Sequence, residues 1–72
     1  MIVVTSLHGS SLALNCDLIE RVEAASGTVL TLVDGSRYVV RESVDEVVDK
    51  VRVFRASVIA LAHRLELEQQ HS

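Results

Sequence analysis

A chain of 72 residues makes one domain; this one is 49% hydrophobic, with a net charge of −3 and a single cysteine. These values exclude a disordered chain and an internal disulfide, and they argue against a general nucleic-acid binder, which would need clustered Lys and Arg against phosphate. A single core of this size contributes only about 3–5 kcal/mol, so oligomerisation is the expected further source of stability.

With no Trp, one Phe and one Tyr, burial falls to Val, Leu, Ile and Ala, and the absence of Pro suits short, tightly connected elements. Met1-Ile2-Val3-Val4 is too short for the apolar part of a signal peptide and has no basic segment before it. The charge-free run Ala56 to Ala62 falls far short of the ~20 residues that span a bilayer. The chain therefore reads as cytoplasmic, with no membrane span.

The elements follow in chain order. Ile2 to Leu7 is a strand candidate, His8-Gly9-Ser10 a turn, and Ser11 to Asn15 a second strand with Leu12 and Leu14 on one face. Asn15-Cys16-Asp17 is turn-like, because Asn and Asp side chains hydrogen-bond nearby backbone. Leu18 to Ala25 fits two patterns. Leu18 and Val22 are spaced as in a helix, yet Leu18, Val22 and Ala24 also share a strand face. A strand is favoured, since a two-turn helix between hairpins would need better caps. Ala25-Ser26-Gly27 is another turn.

Thr28 to Val33 and Arg37 to Arg41 form a hairpin joined by Asp34-Gly35, where Gly supplies a positive φ at no steric cost. Val29 and Val33 lie on one face and Leu30 and Leu32 on the other, a pattern of burial on both sides. After Glu42, Ser43-Val44-Asp45-Glu46 is a capping box: the Ser43 hydroxyl accepts from the Glu46 N–H, and the Glu46 carboxylate reaches back to the Ser43 N–H. The expected architecture is α+β, a small antiparallel sheet of four to five short strands followed by one long C-terminal helix. Residues 1–42 form the platform, 43–67 the helix and 68–72 a frayed tail.

From Ser43 the apolar period changes. Val44, Val47, Val51, Phe54, Val58, Leu61 and Leu65 alternate at spacings of three and four, an a/d heptad pattern. Asp45, Asp49, Lys50, Arg52 and Arg55 occupy the other side, acidic early and basic later, as the helix dipole favours. Such a helix, on the order of 36 Å long at ~1.5 Å per residue, overhangs strands of only ~20 Å. Its far half is apolar beyond one stripe, through Val53, Ala56, Ile59 and Ala60. No Gly or Pro marks a fold-back into a helical hairpin. The expected cover is another copy or a partner protein, with Phe54, Val58, Ile59, Leu61 and Leu65 as the contact.

Reactive constellations are weak. Cys16 has no basic neighbour in sequence to lower its pKa, which suits a buried structural thiol. His8, His63 and His71 share no ligand spacing, and the three glycines lie in separate turns rather than in a phosphate loop. No cofactor, metal or catalytic group is expected. Arg37, Arg41, Lys50, Arg52 and Arg55 could form a modest basic patch, although such charges are more often a solvated face.

Several runs together resemble the small flagellar proteins of the FlbD/SwrD family: MIVVTSL with His8-Gly9, Leu14-Asn15, Asp17-Leu18-Ile19-Glu20 with Val22-Glu23, Thr28-Val29-Leu30-Thr31-Leu32, Gly35, Tyr38-Val39-Val40, Glu42-Ser43-Val44 and Glu46-Val47-Val48. The resemblance covers Met1 to about Arg55. His8 stands where the family commonly has Asn, Cys16 replaces a small or polar residue, and the Pro often seen near Ala24-Ala25-Ser26 is missing. The resemblance implies a non-enzymatic accessory protein of bacterial flagellar motility and swarming, whose partner is a motor or basal-body protein such as the stator. It places the protein on the cytoplasmic side of the basal body. The apolar extension after Arg55 exceeds the family pattern, so its role does not transfer. A rival reading is a small RNA-binding translational regulator of the carbon-storage type, with five strands and a terminal helix. Its basic edge would rest on Arg37 and Arg41.

Overall fold

The computed structural model describes residues 1–70. Five strands precede one helix: β1 Ile2–Thr5, β2 Ser11–Leu14, β3 Ile19–Ala25, β4 Gly27–Leu32, β5 Arg37–Val40 and α1 Val44–Gln70. The fold is α+β as expected, but the strands form two antiparallel sheets, β1-β2 and β3-β4-β5. Asn15 sets the division. Its side chain accepts from the Asp17 N–H at 3.0 Å and caps a 3₁₀ turn, Cys16–Leu18, between β2 and β3. β3 then pairs with β4.

In the first hairpin Ile2 opposes Leu14 and Val4 opposes Leu12, which brings all four to one face. β1 ends at Thr5, short of the expected Leu7, because Ser6 makes an isolated bridge to Val40 in the second sheet. Ser6 also closes the turn, accepting from the Gly9 N–H at 3.0 Å through its carbonyl and from the Ser10 N–H at 3.1 Å through its hydroxyl.

Residues 19–25 are a strand, the alternative favoured from the sequence, and the strand is irregular. Ile19 opposes Leu32 while Arg21 opposes Thr31, so Glu20 is an extra residue in a β-bulge. The bulge turns Ile19 and Val22, three apart, to the same core-packed side. Leu18, expected on that face, sits in the 3₁₀ turn and is half exposed.

The β4–β5 connection is a three-residue loop. The Leu32 carbonyl accepts from the Gly35 N–H at 2.9 Å, and the Leu32 N–H donates to the Ser36 carbonyl at 2.8 Å. Gly35 carries the positive φ of 90°, as in a turn closed by a glycine bulge. The Asp34 carboxylate accepts from the Ser36 N–H at 2.9 Å. That N–H, with the Ser36 hydroxyl, holds the Asp34 carboxyl below its usual pKa.

The second hairpin is buried on one face only. Thr28, Leu30 and Leu32 point inward, Val29 is half-buried and Val33 is exposed in the loop. The helix packs against β1 and β3 and forms no layer over the outer face. Leu30, Val4, Val40 and Val47 make the fully buried centre. The helix runs through Gln70, past the expected end at 67, because Glu and Gln are good helix formers and no Gly or Pro stops them. The rest of the expected tail, His71 and Ser72, lies outside the described residues. The molecule is elongated, 52 × 23 × 19 Å.

Candidate interaction surface

The direction of the helix is set where β5 ends. The Glu42 carboxylate grips Thr5 twice: the Thr5 N–H donates to Oε1 at 2.8 Å and the Thr5 hydroxyl donates to Oε2 at 2.9 Å. Beside it, the Arg41 N–H donates to the Thr5 carbonyl at 2.8 Å and the Arg41 guanidinium donates to the Leu7 carbonyl at 2.8 Å. The two sheets are thereby joined immediately before the first helical residue. Burial opposes charge on Glu42, but the Thr5 N–H, the backbone of Glu42, the Thr5 hydroxyl and the field of Lys50 outweigh it. The net effect holds the carboxyl below its usual value.

The helix cap follows at once. The Ser43 hydroxyl accepts from the Glu46 N–H at 3.1 Å, and the Ser43 carbonyl accepts from the Val47 N–H at 3.0 Å. The reciprocal contact differs from the capping-box expectation: the Ser43 hydroxyl, 3.3 Å from Glu46 Oε1, is the donor.

Beyond the cap, one apolar stripe meets two environments. Val47 is fully buried, and Val51 and Phe54 pack against the core cluster. One turn further the cover ends. Val58 is 49% exposed, Ile59 70%, Leu61 53% and Leu65 49%. Phe54 is the hinge between the two environments, and it lines a shallow apolar notch with Asp17, Arg55, Val58 and Ile59 where the helix leaves the platform. Phe54, Val58, Leu61 and Leu65 lie along one strip. Ile59 is turned about 100° from Val58 by the helical pitch, outside that strip. Ser57, the polar residue nearest the strip, returns its hydroxyl to the Val53 carbonyl at 2.9 Å, so its hydrogen-bonding need is met within the helix.

Other candidate groups are dispersed. Cys16 is 3% exposed and belongs to the core. His8 is exposed in the first turn and His63 on the far helix. Among the described residues no group of three or more His, Cys, Asp or Glu is placed to hold a metal ion. Arg41 is tied to Leu7, and Arg37 opposes Thr31 on β5.

The residue that sequence reasoning missed is Glu42. Its partner Thr5 lies 37 residues away. No local spacing signals such a contact.

The arrangement defines a class: a small β-platform that holds out an amphipathic helix whose outer half is apolar and bare. A family model described as flagellar and swarming motility proteins, FlbD, matches residues 1–59. The chain belongs to the FlbD family of flagellar and swarming motility proteins. The match includes the platform, the cap and the first exposed turn with Val58 and Ile59, and ends before Leu61 and Leu65. Comparisons with curated proteins and with solved structures find no match. Among the described residues no helix is long and apolar enough to cross a membrane.

Proposed function

We propose that this protein is a non-enzymatic accessory factor of flagellar motility that acts by protein–protein contact through the outer half of α1. The supporting observation is the run of exposed apolar residues Val58, Ile59, Leu61 and Leu65 on a rigidly aimed helix. Water-exposed apolar surface of this kind marks interaction sites rather than independent stability. The Glu42–Thr5 clamp and the Ser43 cap support the reading, because they fix the helix to the platform at its base. The partner is a motor or basal-body protein, with the stator as the first candidate, met on the cytoplasmic side of the basal body. Phe54 forms the inner edge of the contact.

Deleting the gene and scoring swimming and swarming tests the role. Loss or slowing is expected, and unchanged motility would refute it. Complementation with Ile59→Asp plus Leu61→Asp tests the surface. Both side chains are exposed, so the platform stays folded while motility is lost.

A further inference from the structure

We infer that the groove between the open edge of β3 and the flank of α1 takes an extended segment of the motility partner. The segment adds to β3 as a further strand and carries apolar and acidic side chains in alternation on its inner face. This rests on the proposed function and deepens it: it names the chemistry of the partner and uses Ile59, the exposed residue that the outer strip leaves out.

Three observations carry the inference. The first is the edge. β3 is a terminal strand of its sheet and pairs only with β4. The Leu32 N–H donates to the Ser36 carbonyl and Leu30 opposes Tyr38, so the even residues of β4 turn their backbone groups to β5 and the odd ones to β3. Val29 and Thr31 accordingly bond across to their partners Glu23 and Arg21. The N–H and carbonyl groups of Val22 and Ala24 then face away from the sheet. Among the described residues no side chain or other backbone segment bonds to them. An open row of this kind is a template for an added strand.

The second is the groove beside that edge. Ile19 and Val22 line it from the platform, and Val48 and Val51 from the helix. It continues along the helix past Ala56 to Ile59. Val22 packs toward the core, so a partner residue opposite it points to the same side. Successive side chains of a strand alternate between faces, and every second one of the added segment enters the groove.

The third is charge. Arg55 lines the groove along both stretches and Arg52 lines its outer one. Among the described residues the one ion pair is Arg21–Glu23 at 3.2 Å. Arg52 and Arg55 therefore have no acidic partner, in a chain whose net charge is −3. Glu20 on the bulge and Asp17 near Arg55 are the acids at hand, and neither pairs with them. Carboxylates on the partner segment meet this need, whereas a basic segment sets like charge against like.

The probe is a labelled peptide, Thr-Val-Thr-Asp-Thr-Val-Thr-Asp, which puts Val and Asp on one face and Thr on the other. It is titrated with the full chain and followed by fluorescence anisotropy. Saturable binding is expected below roughly 1 mM, and it should weaken about tenfold or more when Lys replaces Asp. Arg52→Glu with Arg55→Glu should weaken the acidic peptide by about the same factor. Ala24→Pro should do so independently, because it removes the outward N–H and leaves the β3–β4 ladder whole. All three side chains are exposed, so the far-ultraviolet spectrum should not change. Absence of binding, equal affinity for the Lys peptide, or binding unchanged in either variant overturns the proposal, as does a wild-type dimer that excludes the peptide. A protein that ignores the peptide, but whose Val58→Asp, Leu61→Asp strain loses motility, removes the groove and keeps the motility surface. Arginine-dependent binding by a protein whose gene is dispensable for motility supports the groove and refutes the motility role.

Discussion

The two halves of α1 carry the same apolar stripe and differ in what it touches. Val47 and Leu61 occupy equivalent heptad positions, yet Val47 is fully buried and Leu61 is 53% exposed. Periodicity identifies which side of a helix needs cover but does not say what supplies it. The platform is short, so it covers only the first three turns. Stability therefore rests on the inner half, and the outer half is left bare.

Substitution of the matched pair gives the largest effect. Val47→Asp puts an unpaired charge in the core and should cost more than about 4 kcal/mol, which unfolds the platform. Leu61→Asp, at an exposed position, should change the stability of the chain by less than about 0.5 kcal/mol. Thermal melts followed by circular dichroism compare them. Equal destabilisation would mean that the outer half packs on its own sheet.

The clamp that separates the halves comes next. Glu42→Ala leaves the Thr5 N–H and hydroxyl without their acceptor and should cost about 2 kcal/mol in urea unfolding. A cost near zero would show that Glu42 does not join the two sheets. Ser43→Ala should remove about 1 kcal/mol through the lost cap, read in the same titration. A value indistinguishable from wild type would mean that the helix start is held without it.

The smallest expected effect is on pH dependence. Glu42 and Asp34 are held below their ordinary values of 4.5 and 3.8, so the unfolded chain binds their protons first. The stability they add is fully present above those values and is lost as pH falls through the lower folded ones. The unfolding midpoint should fall on acidification below about pH 4.5. Glu42→Gln should fall less steeply over the same range. Parallel curves for the two proteins would count against the carboxylate clamp.

Much of this was legible in the residues. Alternation in Leu12 and Leu14, Gly35 in its turn, Ser43 three residues before Glu46, and the stripe from Val44 to Leu65 each rest on local geometry. The structure places each within its expected element. What could not be read depends on distant contacts. The bulge at Glu20 is defined by Leu32 and Thr31 across the strand, and it brings Ile19 and Val22 to one side, which strand alternation alone does not predict. The division into two sheets depends on a 3₁₀ turn that redirects β3. The Glu42–Thr5 contact joins residues far apart in the chain. The outer face of the second hairpin looked buried from Val29 and Val33, because composition does not show which layer is missing. The exposure of Val58, Leu61 and Leu65 was readable from the excess of helix over strand length, while the displaced position of Ile59 follows from the helical pitch.

Motility in a strain that makes only the Val58→Asp, Leu61→Asp double variant tests the assignment of function to the outer helix most directly. The variant should accumulate as a folded protein and leave swimming and swarming at the level of the gene deletion. Wild-type motility from normally accumulated double variant would contradict the account, since no function would then depend on the bare half of α1.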